Sequence, residues 1–447
     1  MAFDNSPQLI DLYQLTMLQS YLDHGMENKA VFEFFVRKLP PKRNFLLAAG
    51  LEQLLEYLTQ AQFDDNEIRY LANSGFFRNN LIDYLKHFRF TGQVDAMPEG
   101  TIFFANEPIV RVTAPLPQAQ LIETRLINLL QLPTLVATKA ARCRLVATDK
   151  LLIDFGLRRA HGSEAGIMAA RASYLAGFNG SSNVLAGQRY GIPIYGTMAH
   201  AYIQAHASEA EAFEHFAYSQ PDNQVLLIDT YDTLRGAKHV IELANKLKKE
   251  GKRIKAVRID SGDLNEEAIK VREILDSAGY SDIDIFASSS VDEYLLEQLQ
   301  QQQTPINGFG IGTNLTTSED APYLNCAYKL QEYAGIARRK RSHGKATWPG
   351  SKQVIRHIND NGVLAYDELC LDTEMHKNGQ PLLQTVMRNG KRLSSPEPLD
   401  IIRNRVTEQL SMLPSSLAAL SPSAHFDLKI SPTLQQLTRQ TDEYFND

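Results

Sequence analysis

The segment AVRIDSGDLNEEAIKVREILDSAG (256–279) contains a short apolar strand, a polar turn and an amphipathic helix, in that order. The same order recurs along residues 150–315, where the other strand ends read IDFGLRR (153–159), IYGTMAH (194–200), VLLIDTYD (225–232), IFASSS (285–290) and GFGIGTN (308–314). From residue 225 onward the repeats are spaced by roughly 25–30 residues, the length of one βα unit. We therefore predict an α/β fold in which parallel strands form a barrel and their carboxyl ends meet at one mouth.

The composition is that of an ordinary globular protein. Its 447 residues are enough for two or three domains, and its net charge of −6 argues against a general nucleic-acid or acidic-membrane binder. Three widely separated cysteines, Cys143, Cys326 and Cys370, argue against a structural zinc site or a disulfide framework. No apolar run approaches 18 residues and no basic leader precedes one, so we expect a cytoplasmic protein without membrane contact.

The flanking regions differ from the repeats. Before them the pattern predicts helices over 9–25, 46–60 and 118–131 and strands within 30–40, 88–104 and 108–116. After them it predicts strands within 352–358, 362–369 and 382–393, a helix near 398–412 and a polar tail. We predict an N-terminal α+β domain (1–132), a catalytic barrel (133–340) and a C-terminal segment (341–447) whose strands rejoin the N-terminal sheet.

The strand ends carry groups suited to an anionic, phosphorylated ligand. The turn GFGIGTN offers backbone N–H groups and the Thr313 hydroxyl to a phosphate, although such turns also serve only as tight bends. Arg258 and Asp260 share one side of their strand and form either a functional pair or a structural ion pair. Arg158 and Arg159 either clamp an anion or solvate a helix start. An anion-binding mouth explains both arginine sites together. The basic run ARRKRSHGK (337–345) resembles a localisation signal, but because it directly follows the barrel we interpret it as a mobile loop near polyanionic substrates.

Several motifs in order resemble those of nicotinate phosphoribosyltransferases. They are DLYQLTM (11–17), FEFFVRKLP (32–40), DFGLRRAHGSEAG (154–166), GFNGSSNVLAGQRYGIPIYGTMAH (177–200), VRIDSGDL (257–264), GFGIGTNL (308–315) and KATWPGSKQVIR (345–356). The resemblance runs from about residue 9 to residue 410. It implies an irregular parallel α/β barrel of the type II phosphoribosyltransferase kind with an additional discontinuous α+β domain. The implied reaction transfers phosphoribose from phosphoribosyl pyrophosphate to nicotinate, with ATP as co-substrate, in NAD salvage. It also implies substrate-associated Mg²⁺ and a homodimer with shared active sites.

The resemblance also implies residue roles. Phe155 would stack on the pyridine ring, with Tyr13 of the partner subunit on the opposite face. Arg258 and Arg158 would hold anionic groups, and Asp260 would lie near the ribose hydroxyls or the Mg²⁺–pyrophosphate. The 5-phosphate would be held by Ser288, Ser289, Gly312 and Thr313. His200, which follows Gly196 and Thr197, would be transiently phosphorylated by ATP, with Thr197 in the substrate site.

Two alternatives remain open at this stage. A nicotinamide phosphoribosyltransferase shares the architecture, and an inert sugar-phosphate-binding regulator is possible on the same barrel. Nicotinamide-using relatives carry Asp where Ser182 stands here, and an Asp carboxylate would repel a substrate carboxylate. Ser182 can donate a hydrogen bond to that carboxylate, so the sequence predicts a preference for nicotinate.

Overall fold

The computed structural model describes residues 5–375, 378–421 and 425–445 of the chain. The chain forms two compact units, unit 1 (residues 1–138 and 321–447) and unit 2 (residues 139–320). The boundaries predicted from the sequence fall after residues 132 and 340 instead. No helix in the described ranges is both long enough and apolar enough to cross a membrane.

The helices of the described ranges vary in length from 4 to 24 residues. They are α1 (Leu12–Asp23), α2 (Leu51–Gln60), α3 (Asp65–Asn73), α4 (Asn79–Lys86), α5 (Leu116–Leu121), α6 (Glu123–Val146), α7 (Ser163–Leu175), α8 (Val184–Tyr190), α9 (His200–Gln204), α10 (Glu209–Ser219), α11 (Thr233–Lys249), α12 (Leu264–Ser277), α13 (Glu293–Gln301), α14 (Thr313–Thr316), α15 (Leu399–Ser411), α16 (Ser415–Ala418) and α17 (Pro432–Tyr444). One turn of 3₁₀-helix covers Leu157–Arg159.

The strands of the same ranges follow in chain order. They are β1 (Lys29–Val36), β2 (Leu46–Leu47), β3 (Gln93–Ala96), β4 (Ile102–Phe103), β5 (Pro108–Pro115), β6 (Leu151–Asp154), β7 (Gly180–Ser181), β8 (Val225–Leu227), β9 (Ala256–Ile259), β10 (Asp284–Ser288), β11 (Gly308–Ile311), β12 (Cys326–Tyr333), β13 (Ile336–Ala337), β14 (Lys352–Ile358), β15 (Leu364–Leu371), β16 (Gln380–Pro381), β17 (Gln384–Arg388), β18 (Lys391–Arg392) and β19 (Leu428–Ile430).

Unit 1 is built around an antiparallel sheet. Among its described residues the strand order is β13-β12-β1-β5-β3-β17-β18. Strands from both sequence segments of the unit are neighbours, because β12 pairs with β1 and β17 pairs with β3. A second sheet has the order β16-β14-β15-β19, and β2 pairs with β4. All of β1 except Lys29 is buried, so both faces of this strand are covered.

A buried ion pair joins the two segments of unit 1. The Glu33 carboxylate of β1 lies 2.9 Å from the Lys352 ammonium and also accepts the Lys352 backbone N–H at 3.0 Å. Burial lowers the pKa of Lys352, and the charge of Glu33 opposes that shift. The pair links β1 to β14, which belong to different sheets, and removing one partner would leave a buried charge uncompensated.

One predicted helix end in unit 1 is wrong. The sequence predicts that the helix beginning at 118 ends at 131, before Pro133, but α6 continues through Pro133 to Val146. Proline lacks the N–H that would bond the carbonyl of Leu129. Gly50, with φ of +97°, packs against that carbonyl so closely that an added Cβ would lie 2.0 Å from its oxygen. The missing side chain at Gly50 therefore leaves room for the Leu129 carbonyl.

Two further differences concern the helix predicted over 46–60 and the polar tail. Residues 46–47 form β2, and α2 starts only at Leu51. The tail contains β19 and α17, which begins after Ser431, whose hydroxyl accepts the Leu434 N–H. Residues 422–424 and 446–447 of this tail lie outside the described residues. The helix predicted near 398–412 is confirmed as α15.

Unit 2 contains the parallel sheet. In the part of unit 2 that the structure describes, the strand order is β7-β6-β11-β10-β9-β8, and all pairs are parallel. The mixed α/β class is confirmed, whereas the hydrogen bonds of these residues do not close the sheet into a barrel. Aspartates at the ends of three βα turns cap the following helices α11, α12 and α13 through backbone N–H groups: Asp232, Asp263 and Asp292. These caps explain why each helix starts where it does.

The strand predicted at IYGTMAH (194–200) is wrong. Ile194 makes one isolated parallel bridge with Ser181, and His200 begins helix α9. Pro193 has no N–H with which to extend a ladder, and Ile194 is 57% exposed, so little apolar burial stabilises a strand here. His200 therefore lies at the start of a helix.

Candidate active site

A cavity of about 590 Å³ lies at the carboxyl ends of the parallel strands of unit 2. It is lined by residues that follow different strands and by the segment before α9. The lining includes Phe155, Leu157, Arg158, Ser182, Gly196, Thr197, Met198, Ala199, His200, Leu227, Arg258 and Asp260. The structure thus brings together seven of the residues that the sequence singled out: Phe155, Arg158, Ser182, Thr197, His200, Arg258 and Asp260.

Arg258 is the most connected cation of this cavity. Its Nε donates to Ser288 Oγ at 2.9 Å, and one terminal nitrogen donates to Thr197 Oγ1 at 3.2 Å. The other terminal nitrogen lies 3.2 Å from Asp260 Oδ2, and Ser288 Oγ donates to Asp260 Oδ1 at 2.7 Å. The guanidinium also sits over the Phe155 ring, 5.3 Å from its centre. The arginine is thereby oriented between the aromatic ring and the serine that ends β10.

The His200 ring is oriented by one hydrogen bond, at Nδ1. Nδ1 lies 3.1 Å from Thr230 Oγ1, and Nε2 lies 3.8 Å from Asp260 Oδ2. Because its side chain is about two-fifths exposed, the ring is accessible from the cavity. If Nδ1 donates its proton to Thr230, the lone pair of Nε2 is free to act as a nucleophile or a base.

Asp229 and Thr230, which follow β8, are functional candidates that sequence reasoning missed. Asp229 Oδ2 accepts the Asp260 N–H at 2.9 Å and the Ser261 hydroxyl at 2.5 Å. Asp229 Oδ1 is buried and has no hydrogen-bond partner among the described residues. The sequence does contain a signal for both residues, because they lie in VLLIDTYD (225–232), one of the repeated strand ends.

Asp154 connects the two turns that carry Phe155 and Ser182. Its carboxylate accepts the Gly156 N–H at 2.8 Å and the Ser181 hydroxyl at 2.7 Å, and its carbonyl accepts the Ser182 N–H at 2.8 Å. Burial raises the pKa of the Asp154 carboxyl, while the two hydrogen bonds oppose the shift. This side chain therefore positions both turns from beneath without lining the cavity itself.

The residues predicted to bind the 5-phosphate lie at the ends of the neighbouring strands β10 and β11. Ser288 ends β10, and Ser289 and Ser290 follow with φ of +110° and +48°, a conformation unusual for serine. Asn314 Nδ2 donates to the Ser290 carbonyl at 3.0 Å and so steadies this turn. Gly312 lies against Phe155, since an added Cβ would be 3.1 Å from the Phe155 carbonyl oxygen. Thr313 follows as the first residue of α14.

Tyr13 belongs to unit 1, on helix α1, whereas Phe155 belongs to unit 2. Its side chain is 46% exposed. Burial of the hydroxyl, followed by the negative charge of Glu123, raises the pKa of Tyr13 to about 12. The phenol is therefore protonated at neutral pH and can donate a hydrogen bond. Its predicted stacking in the site of the partner subunit stays a prediction.

Family models match nearly the whole chain. The N-terminal domain of nicotinate phosphoribosyltransferase matches residues 9–131, the nicotinate phosphoribosyltransferase family matches 151–371, and the C-terminal domain matches 375–438. The chain belongs to the nicotinate phosphoribosyltransferase family. The resemblance carried by the sequence motifs is thereby confirmed.

Individual relatives agree with the family models. Nicotinate phosphoribosyltransferase pncB2 of Mycobacterium tuberculosis (strain H37Rv) is 47% identical over 418 residues, which cover 93% of this chain and 89% of that protein. Nicotinate phosphoribosyltransferase of Bacillus subtilis is 41% identical, with 83% and 79% covered.

Solved structures show the same fold. The crystal structure of human nicotinic acid phosphoribosyltransferase matches with a TM-score of 0.88 and 29% identity, covering 97% of this chain and 99% of that one. Nicotinate-nucleotide pyrophosphorylase of Pyrococcus furiosus has a TM-score of 0.74 at 24% identity, covers 91% of this chain and 95% of that one, and supports the fold alone.

Proposed function

We propose that this chain transfers the phosphoribosyl group of phosphoribosyl pyrophosphate to the ring nitrogen of nicotinate. The products are nicotinate mononucleotide and pyrophosphate, and the reaction serves NAD salvage in the cytoplasm. The observation that carries the proposal is one cavity lined by Phe155, Arg258 and Ser182 in a member of this family. We also propose that the parallel sheet of unit 2 is part of an irregular barrel of the type II phosphoribosyltransferase kind.

The cavity residues suit this chemistry. The Phe155 ring offers a stacking surface for the flat pyridine ring. Arg158 and Arg258 supply positive charge for the nicotinate carboxylate and the donor phosphates. Ser288, Ser289, Gly312 and Thr313 form the proposed cradle of the 5-phosphate. Departure of pyrophosphate leaves an oxocarbenium-like sugar, so positioning and charge stabilisation dominate catalysis.

Mg²⁺ is proposed to arrive with the substrates. Both carboxylate oxygens of Asp260 are already engaged, by Ser288 and by Arg258. The Oδ1 atom of Asp229 is buried and has no hydrogen-bond partner among the described residues. This oxygen can therefore act as a hydrogen-bond acceptor beside the turn that carries Asp260. We propose that substrate oxygens hold most of the ion's coordination shell and that the ion neutralises the leaving group. Asp260 then lies beside the ribose hydroxyls or the Mg²⁺–pyrophosphate.

ATP is proposed as a co-substrate that transiently phosphorylates His200. Thr230 holds Nδ1, which leaves Nε2 as the nitrogen that faces Asp260. A phosphorylated histidine beside Arg258 and Asp260 would change the charge of the mouth and thereby donor binding. Such a step couples ATP cleavage to nucleotide formation.

The direct test is an assay of the purified full chain with phosphoribosyl pyrophosphate and Mg²⁺. Nicotinate and nicotinamide are each supplied with and without ATP, and the mononucleotide is quantified by chromatography. We expect turnover of nicotinate, stimulation by ATP and little turnover of nicotinamide. Preferred turnover of nicotinamide would establish the amide-using alternative, and absence of turnover with either pyridine would establish the inert regulator.

Ser182→Asp is expected to weaken the use of nicotinate by on the order of 10²-fold in kcat/KM, or about 2–4 kcal/mol. The change removes a hydrogen-bond donor and adds a negative charge near the substrate carboxylate. Steady-state kinetics with nicotinate measure the effect. Ser182→Ala is the matched control, because it removes the hydroxyl without adding charge and should cost about tenfold at most. An equal loss in the two variants would contradict the electrostatic explanation.

A homodimer with shared sites is proposed, with Tyr13 of the partner subunit completing the ring-stacking pocket. Tyr13→Ala and Arg258→Ala proteins should each be nearly inactive alone. After subunit exchange, mixed dimers contain one site without either lesion, so up to about a quarter of the wild-type activity should return when the two chains mix statistically. Activity and mass of the mixed species are measured together. Hybrid dimers that form without regaining activity would mean that each site is built from one chain.

A further inference from the structure

Residues 289–290, which follow β10 and which we call the serine turn, have an unusual backbone conformation. Among the described non-glycine residues with positive φ, Ser289 and Ser290 are the only two that are adjacent in sequence. All of these residues except Ser289 have φ between +45° and +66°, near the left-handed helical region, whereas Ser289 has φ of +110°. Residues with a Cβ rarely adopt such a φ, and the strain persists only where the surrounding structure enforces it.

The chain is fixed on both sides of the serine turn. Before it, Ser288 Oγ accepts a hydrogen bond from Arg258 and donates one to Asp260. After it, Val291 is buried, and the Asp292 carboxylate caps α13 by accepting two backbone N–H groups. Neither end of the turn can therefore shift freely to relieve the strain, and the serine turn is exposed to a ligand between them.

Asn314 is the side chain that holds the serine turn. Its Nδ2 donates to the Ser290 carbonyl at 3.0 Å, and within the described ranges no other hydrogen bond reaches the serine turn. Asn314 lies in α14, where Leu315 is buried and donates its N–H to the Gly312 carbonyl at 3.2 Å. The amide is thus presented from a packed segment at the end of the neighbouring strand β11.

The Asn314 amide is not needed to join β10 to β11. These strands pair in parallel as far as Ser288 and Gly310, and the serine turn lies beyond that ladder. At the opposite end of the same strands, Asn307 Oδ1 accepts the Ile285 N–H at 2.9 Å. What the Asn314 hydrogen bond adds is control over the conformation of an exposed turn at the carboxyl ends of the strands.

We propose that Asn314 is a positioning residue for the phosphoribosyl donor, whose amide keeps the serine turn in its strained conformation before the 5-phosphate arrives. This inference rests on the function proposed above, in which Ser289 belongs to the cradle of the 5-phosphate. A preformed turn binds the phosphate without first having to be ordered, and this strengthens binding. Loss of the amide lets the turn relax, so donor binding weakens while nicotinate binding at Phe155 and Ser182 does not.

Steady-state kinetics of the full chain test this positioning role. Asn314→Ala should raise the KM for phosphoribosyl pyrophosphate about three- to tenfold, because one hydrogen bond that orders the turn is lost, and change the KM for nicotinate by less than about twofold. Asn307→Ala is the matched control, because it removes an amide link between the same two strands at their other end. It should change both Michaelis constants by less than about twofold. Thermal unfolding without ligand verifies that both variants fold.

A second background tests whether strain is the reason for the anchor. Glycine adopts a φ of +110° without strain, so a turn that carries Ser289→Gly depends less on the Asn314 amide. The Asn314→Ala change is therefore measured again in the Ser289→Gly background, with the Ser289→Gly protein as its reference. There it should raise the KM for phosphoribosyl pyrophosphate by less than about twofold.

A binding measurement separates this inference from the proposed reaction. Ribose 5-phosphate, which carries the 5-phosphate without the pyrophosphate, is titrated into the same proteins by calorimetry, and its Kd should rise in Asn314→Ala by the same factor as the KM. If the unmodified chain binds ribose 5-phosphate but transfers no phosphoribose, the proposed function fails and the Kd values alone decide the role of Asn314.

Four results would overturn the inference. Asn314→Ala could leave the affinity for the donor and for ribose 5-phosphate unchanged, or weaken nicotinate equally. Asn307→Ala could weaken the donor as much as Asn314→Ala does, which would indicate general support of the strands. The loss could be undiminished in the Ser289→Gly background, or the unmodified chain could fail to bind ribose 5-phosphate at all.

Discussion

Arg258→Ala is expected to lower kcat/KM for phosphoribosyl transfer to nicotinate by about 10²–10³-fold, the range found when one preorganised transition-state donor is removed. Arg258 supplies positive charge at the cavity and orients Ser288 and Thr197 through hydrogen bonds. Its loss also leaves the Asp260 carboxylate without its cationic partner. Both effects weaken the binding of the anionic phosphoribosyl pyrophosphate in the cavity.

Steady-state kinetics with nicotinate and phosphoribosyl pyrophosphate measure this loss. Arg253→Ala is the matched control, because Arg253 is an exposed arginine that precedes the same strand, and it should retain wild-type activity. The Michaelis constant for phosphoribosyl pyrophosphate should rise more than that for nicotinate if the arginine mainly holds the donor. A loss below about tenfold in kcat/KM would mean that the Arg258–Asp260 pair is structural.

His200→Asn is expected to abolish stimulation by ATP while a slow, ATP-independent transfer remains. The asparagine amide can still hydrogen-bond Thr230, which now contacts Nδ1 of His200, but it provides no nucleophilic ring nitrogen. In the proposed mechanism, transfer itself passes through an oxocarbenium-like sugar and needs no histidine nucleophile. The variant should therefore lose the stimulation by ATP and keep the ATP-independent transfer.

Incubation with γ-labelled ATP tests the phosphohistidine directly. Label that is labile in acid and stable in base should appear on the peptide that contains His200 and be absent from the His200→Asn protein. His161→Asn, which changes an exposed histidine of the same unit, should be labelled normally. Full ATP stimulation in His200→Asn would refute the assignment.

The residues at the strand ends were predictable because the carboxyl ends of parallel strands meet at one edge of the sheet. A residue that follows such a strand can therefore be assigned to this edge from the local sequence alone. Arg258 lies in β9, Asp260 directly follows this strand, and Phe155 directly follows β6, so short stretches of sequence were enough to identify them. The same rule applied to β8 leads to Asp229 and Thr230. What the sequence could not show is that Asp229 accepts hydrogen bonds from the turn after β9, because that contact depends on the neighbouring strand.

The failures have non-local causes. Residues 194–200 contain apolar side chains at strand-like spacing, yet only Ile194 finds a partner, Ser181, and the chain turns into α9. Pro133 stays within α6 although proline usually ends a helix, because Gly50, remote in sequence, leaves room beside Leu129. In both cases a segment that is distant in sequence decides the local conformation. The spacing of apolar residues within a short stretch carries no information about that distant segment.

The attachment of Ser182 has an evolutionary consequence. Its backbone N–H donates to the Asp154 carbonyl, and the turn around it is held by Asp154 and Ser181, so the serine side chain takes no part in building the turn. A replacement at residue 182 can therefore change a group that lines the cavity without disturbing the turn that carries it. A mutation of Asp154, by contrast, would disturb the turns of both Phe155 and Ser182, so change at the site is expected to accumulate at residue 182 and not at Asp154.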